Sequence, residues 1–198
     1  MKNLLTALIL FGLMFMGSAI NSTATAQNAQ GDFVAGAGLV YGSGVFGFDD
    51  IDNDIGLQVN GYYSLTPEIR IGGDFTYYFP ATFEDSGTDF FGDQWEEEEK
   101  YTVTEINING HYLFINEADM IVYALAGINI TGFKNEYTYS ENGFSESMSV
   151  SDSETGLNLG AGIEYALDFA NFYAEAKLAN VGGDADQFVL GAGLRFKF

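Results

Sequence analysis

The chain has 198 residues, no cysteine, 7 basic against 28 acidic residues and a formal net charge of −21. That balance excludes nucleic acid as a partner, because its recognition needs a basic surface. The missing cysteines exclude thiol nucleophiles, Fe–S clusters and thiolate zinc sites.

The first residues read as a Sec-type export signal. Lys2 supplies a short positive end, and residues 4–16 form an apolar stretch. Small-x-small cleavage sites follow at Ala24-Thr25-Ala26 and at Gly17-Ser18-Ala19. The apolar stretch is shorter than the ~20 residues that a membrane helix needs. Residues 1–26 are therefore expected to be a cleaved signal peptide, with Ala19 as the second cleavage candidate. Residues 27–198 remain as one domain. Nothing later in the chain has the uninterrupted apolar length of a spanning helix. Aromatics at 16%, 25 glycines and 2 prolines favour strands over helices.

Eight alternating segments follow in order, at about 33–42, 55–65, 69–79, 104–114, 120–132, 156–167, 172–181 and 188–198. Successive strand side chains point to opposite faces. In the second segment Ile55, Leu57, Val59, Tyr63 and Leu65 oppose Gln58, Asn60 and Tyr62. In the third, Ile69, Ile71, Phe75, Tyr77 and Phe79 oppose Arg70, Asp74 and Thr76. In the fourth, Ile106, Ile108, Tyr112 and Phe114 oppose Glu105, Asn107, Asn109 and His111. Its parity breaks upstream at Tyr101 and Val103, as a bulge or an extension above a bilayer would cause. The fifth segment is apolar on both faces in its first half. The eighth places Phe188, Leu190, Leu194, Phe196 and Phe198 in one row, against Arg195 and Lys197 in the other.

Short links at 66–68, 116–119 and 168–171 alternate with long ones at about 43–54, 81–103, 133–155 and 182–187. An up-and-down barrel with short periplasmic turns and longer extracellular loops predicts that alternation. About 9–11 tilted strand residues cross a bilayer, which matches the segment lengths. A soluble barrel or sandwich would place the apolar rows in a core. Its other face would carry lysine and glutamate, whereas here it carries mostly Gly, Asn, Thr and Tyr. Aromatics gather near strand ends, at Phe33, Tyr41, Tyr63, Phe79, Phe114, Tyr165, Phe172, Phe188 and Phe198, as interfacial girdles do. The expected fold is all-β, an eight-stranded antiparallel up-and-down transmembrane barrel.

The terminal strand, with its alternating row Phe188, Leu190, Leu194, Phe196, Phe198 and a final Phe, resembles the signal read by the outer-membrane barrel assembly machinery. The chain after the signal resembles the small OmpA/OmpX-type barrels of the outer membrane protein beta-barrel domain group. That resemblance implies the Gram-negative outer membrane as location, and its lipid and lipopolysaccharide as surroundings. It also implies the assembly machinery as a partner. No peptidoglycan-binding domain is expected after the last strand, so cell-wall anchoring is not implied. A closed barrel leaves no open edge that needs a partner, and a monomer is expected.

Three groups of residues are candidates for chemistry. Arg70, His111, Glu164, Glu175, Lys177, Arg195 and Lys197 all fall on the lumen face, within about five positions of the periplasmic side. An eight-stranded interior is just wide enough for side chains to fill, and buried charges must be paired. These residues are expected to form a salt-bridged plug, with a gated conduction pathway as the alternative. His111 lacks the neighbouring serine of a nucleophilic hydrolase and reads as a satisfied lumen histidine. The long links hold most of the acids. Asp50, Asp52 and Asp54 have the alternation of a calcium loop, but Ile55 and Gly61 stand where an EF-hand needs Gly and Glu. A solvated acidic loop is the favoured reading there and at residues 95–100, with divalent cations as possible bridges to lipopolysaccharide.

No cofactor and no catalysis are expected. The functional expectation is a structural or surface-interaction protein, with the barrel as anchor and the acidic loops as the contact surface. The alternative is a narrow cation-preferring channel whose acidic mouth concentrates cations.

Overall fold

The structure, a computed structural model, describes residues 26–43, 55–88, 90, 92–182 and 186–198. Among these described residues are nine antiparallel strands: β1 (Phe33–Ser43), β2 (Ile55–Ser64), β3 (Ile69–Tyr78), β4 (Ala81–Thr88), β5 (Gln94–Asn116), β6 (Met120–Glu141), β7 (Phe144–Ala166), β8 (Asn171–Val181) and β9 (Gln187–Lys197). Each strand of a ring pairs with two neighbours. The order β3-β2-β1-β9-β8-β7-β6-β5 closes through a β3–β5 pairing, giving an eight-stranded barrel with β4 appended to β5. The seam joins the first and last strands, from Val34↔Lys197 to Ser43↔Phe188.

The alternation read from the sequence sets the two faces. Leu39, Leu57, Val59, Ile71, Ile106, Ile108, Ile128 and Leu159 are exposed on the outside. The nine aromatics near the strand ends, from Phe33 to Phe198, are exposed with them. The lumen buries Arg70, Arg195, Tyr62, Tyr78, Tyr123, Tyr173, His111 and Glu105, among the largest fully buried side chains described. Burying arginine while exposing isoleucine reverses the rule for proteins in water, where exposed aliphatic surface is unfavourable by about 25 cal/mol per Å². It suits a barrel whose exterior meets hydrocarbon.

Two long links expected as loops are strands instead. Residues 81–103 contain β4 and the outer part of β5, and residues 133–155 contain the outer parts of β6 and β7. β5 and β6 stay in one register from Trp95↔Glu141 to Leu113↔Tyr123, so the two hairpins leave the barrel as one four-stranded ribbon. At about 3.4 Å per residue, the ten residues above Thr104 carry it roughly 30 Å beyond the barrel. Between β3 and β4, Pro80 lacks an N–H and interrupts the pairing with β5, which passes from Tyr77↔Thr104 to Ala81↔Tyr101. The β6–β7 turn is Asn142-Gly143, with φ of 49° and 81°. Positive φ at both turn residues matches the twist of the flanking strands and favours the Asn-Gly pair.

The parity break at Tyr101 and Val103 is therefore an extension. The irregularity in β5–β6 pairing lies elsewhere, between Leu113 and Ile115. The doubly apolar start of the fifth segment also has a cause. Ile121, Tyr123 and Leu125 pack with Leu113 and Ala26 as an apolar cluster at the turn end of the lumen. A second cluster of Val40, Tyr78, Ala81, Val103, Ala179 and Val189 lies at the ribbon end.

Candidate functional site

The lumen between these two apolar clusters is packed with charge. Arg70 on β3, Glu164 on β7 and Arg195 on β9 are brought together by strand alternation and ring closure. Glu164 Oε1 accepts from Arg70 Nη2 and, at 2.5 Å, from Arg195 Nη1. Arg195 Nη2 also lies 3.4 Å from Glu175 Oε2, and its Nε donates to Asn60 Oδ1 at 3.0 Å. Phenol rings complete the packing. The Arg195 guanidinium lies 4.1 Å from the Tyr173 ring centroid, and that of Arg70 4.8 Å from Tyr123. Such cation–π contacts suit a guanidinium removed from water.

His111 is part of this layer. Its Nδ1 accepts from Arg70 Nε at 3.0 Å, which places its ring proton on Nε2. The ring stacks on Tyr123 with centroids 4.4 Å apart and is tilted against Tyr62 at 4.2 Å. Its neighbours are a guanidinium and two phenol rings, unlike the hydroxyl and carboxylate that a nucleophilic triad places around histidine.

Lys177 belongs to a second tier, nearer the ribbon. Its Nζ lies 3.6 Å from Asp74 and 3.8 Å from Glu105. Asp74 accepts from Asn107 at 2.6 Å, Asn109 at 3.0 Å and Gln58 at 3.1 Å. Glu105 accepts from Gln187 at 2.7 Å and Tyr78 at 3.0 Å. Asn129 and Asn158 each donate to Asn107 Oδ1 at 2.7 Å, which carries the amide network across β5, β6 and β7. Neutral amides thus solvate carboxylates that are shut off from water.

Of the seven cluster residues expected from the sequence, Arg70, His111, Glu164, Glu175 and Arg195 share one layer. Lys177 sits in the tier above. Lys197 stands apart at the rim, where it is 2.7 Å from Asp32 and donates to Gln27 O at 2.9 Å. Its place near the chain end puts it beside the segment before β1, which folds across the turn end. Asn28 is buried there. It donates to Pro67 O, and its backbone N–H donates to Asn116 Oδ1. Asp74, Glu105 and the tyrosines had no place in the expected cluster. Their positions on lumen-facing rows were the available signal.

Asp50, Asp52 and Asp54 lie outside the described residues. Among the described residues, no three His, Asp or Glu side chains converge as a metal-holding group. Phe188 and Leu190 face outward on β9, and Phe198 donates its N–H to Phe33 O at 2.8 Å across the seam.

A closed eight-stranded ring with an apolar exterior and a charged lumen defines a transmembrane barrel of the outer-membrane type. The model of the outer membrane protein beta-barrel domain family matches residues 11–196. The chain belongs to that family, and its location is the cell outer membrane. Among solved structures it is similar to the N-terminal β-barrel domain of Pseudomonas aeruginosa OprF, with 16% identity over 87% of this chain and 100% of that one and a TM-score of 0.54. It is also similar to OprG of Pseudomonas aeruginosa (14% identity, 88% and 99% covered, TM-score 0.50). A third likeness is to Ail, the attachment invasion locus protein of Yersinia pestis, in complex with the heparin analogue sucrose octasulfate (18% identity, 84% and 99% covered, TM-score 0.51). At these identities the likeness is one of fold. No curated protein sequence matches the chain.

Proposed function

We propose that the barrel is a closed membrane anchor that presents the β4–β7 ribbon to the cell's surroundings. The observation that carries this reading is the unbroken β5–β6 register from inside the barrel to Trp95↔Glu141. A ribbon continuous with its anchor holds a contact surface at a fixed distance and orientation, which a loose loop does not. The short-turn end then faces the periplasm. The filled lumen supports an anchor over a channel, since apolar clusters lie at both ends of an ion-paired and amide-bonded interior. The lumen charges act in this reading as a structural plug, and His111 as a stacked spacer for Arg70 rather than a catalyst.

Deleting residues 84–98 tests the reading. The trimmed chain is expected to insert and to keep the heat-modifiable gel shift of a folded barrel, while losing adhesion of whole cells to the surfaces that the intact chain binds. Loss of insertion, or unchanged adhesion, would overturn it. Single-channel recording of the inserted full chain separates the channel alternative: the anchor predicts silence, and steady cation-selective steps would replace it.

A further inference from the structure

The two faces of the ribbon differ in chemistry. Paired residues of an antiparallel sheet share a face, and the face of Ala81↔Tyr101↔Asn135↔Val150 is continuous with the lumen row. That inner face carries Phe83, Tyr137, Phe144, Met148 and Val150, all exposed; Met148 is 69% and Val150 63% accessible. Isolated apolar residues on a surface need no explanation, but a contiguous patch on one face of a sheet marks an interaction site. At its root lies a shallow depression lined by Tyr101, Val103, Phe133, Val150 and Asp152 and also by Lys134. The outer face is built from serine and threonine, including Thr138, Ser147 and Ser149, with its own charges.

Charge is distributed just as unevenly. Asp85, Glu97, Glu99, Glu146 and Asp152 lie on the inner face. The two lysines of the ribbon, Lys100 and Lys134, lie on the outer one, where Lys134 pairs with Glu136 at 2.7 Å. Tyr101 and Tyr137 donate to Glu99 and Glu97 at 2.6 and 2.9 Å, holding carboxylates beside aromatic rings. The inner rows are thus apolar, aromatic and anionic, with no lysine or arginine in their register among the described residues; Lys134, on an outer row, also lines the depression at their root. The β1–β2 link, residues 44–54, has Asp49, Asp50, Asp52 and Asp54 and no base in its sequence. Like charge makes that segment a poor cover for the face.

We propose that the inner face of the ribbon docks a cationic amphipathic polypeptide segment, its basic groups meeting the carboxylates and its apolar groups meeting Met148, Val150 and the aromatic row. The inference rests on the presentation reading above and names the partner class for that surface. Aromatic rings flanked by carboxylates favour lysine and arginine through cation–π and charge contacts together. Polyanions are disfavoured on the same grounds.

The test uses the full mature chain in phosphatidylcholine nanodiscs and a fluorescent 12-residue peptide of alternating lysine and leucine, with empty discs as the blank. Two triple variants remove equal charge from the two faces: Glu97→Gln/Glu99→Gln/Asp152→Asn inside, and Glu84→Gln/Glu96→Gln/Glu98→Gln outside. The inner triple is expected to weaken binding tenfold or more and the outer triple less than threefold. Met148→Ser/Val150→Ser, which leaves charge untouched, is expected to weaken it at least threefold. Absence of binding to the intact chain, equal weakening by both triples, or no effect of Met148→Ser/Val150→Ser would overturn the proposal. A tenfold gain in affinity on deleting residues 46–53 would make that segment the occupant and also overturn it. If the 84–98 deletion abolishes cell adhesion while the peptide fails to bind, presentation stands and the cationic partner falls. If the peptide binds but the deletion leaves adhesion unchanged, the presentation reading falls instead.

Discussion

Replacing Glu164 with glutamine isolates the centre of the lumen. The substitution keeps volume and one carbonyl acceptor but removes the charge shared by Arg70 and Arg195, whose side chains are 1% and 0% exposed. Arg195 retains Glu175 at 3.4 Å, while Arg70 is left with the neutral His111 nitrogen and the faces of Tyr62 and Tyr123. Among the described residues, one guanidinium therefore loses its only buried counter-ion, and the other keeps a long one. Breaking a buried pair from one side costs about 3–5 kcal/mol, and the surviving Glu175 contact argues against twice that figure. On the scale of ~1.4 kcal/mol per tenfold, the folding equilibrium constant falls by a factor of roughly 10²–10⁴. Urea unfolding of the inserted protein, followed by gel shift and far-UV circular dichroism, reads the loss. Arg70→Met combined with Glu164→Gln should cost less than the two single changes added, because the orphaned cation is gone. A cost for Glu164→Gln below about 1 kcal/mol would refute the view that this pair is desolvated.

Other consequences are open to direct measurement. Ile108→Arg places a charge on the outer face near mid-strand; it should destabilise the inserted barrel by about 2–4 kcal/mol in lipid, checked by reversible unfolding in vesicles. Gly143→Ala puts a Cβ at φ 81°. It should loosen the β6–β7 turn by about 1–2 kcal/mol, seen as faster amide exchange at residues 138–147 with barrel amides unchanged. In the ribbon, hydrogen bonds from Tyr101 and Asn135 hold the Glu99 carboxyl below its usual range. A lowered folded-state pKa contributes stability above the unfolded value and loses it as pH falls through the folded one. Tyr101→Phe should move the Glu99 carboxyl midpoint upward in a carbon-detected NMR titration, and an unchanged midpoint would count against the bond.

Much of this architecture was legible because a barrel strand writes both of its environments into alternate residues. Large apolar residues in one row and polar or small ones in the next left little choice of face for β2, β3, β5 and β9. Segment limits for the ring fell within a residue or two of the structure, since turns such as Thr66-Pro67-Glu68 punctuate them. The ribbon was less visible. WEEEEK offers no apolar alternation, and repeated glutamate reads as a solvated loop until pairing with β4 and β6 supplies the ladder. The Asn142-Gly143 turn was nonetheless a hairpin signal within a stretch read as a loop. The lumen charges could be assigned to a face but not to partners. Lys177 and Lys197 share parity with Arg195, yet barrel shear and the folded segment before β1 decide which carboxylate each meets. Long-range register of that kind has no local trace.

The seam between β1 and β9 gives the barrel an order of events. Every hairpin in the ring closes over a short stretch, whereas Val34↔Lys197 joins the first strand to the last. By logarithmic loop-closure scaling, that contact costs about 4–5 kcal/mol in entropy, against about 1 kcal/mol for a four-residue turn. It is thus expected to be the last pairing to form, and it cannot form at all until β9 exists. A chain that stops early is an open sheet with two bare edges, prone to stick to its own kind. Completeness is therefore a physical property of this molecule: only a finished polypeptide can hide its edges.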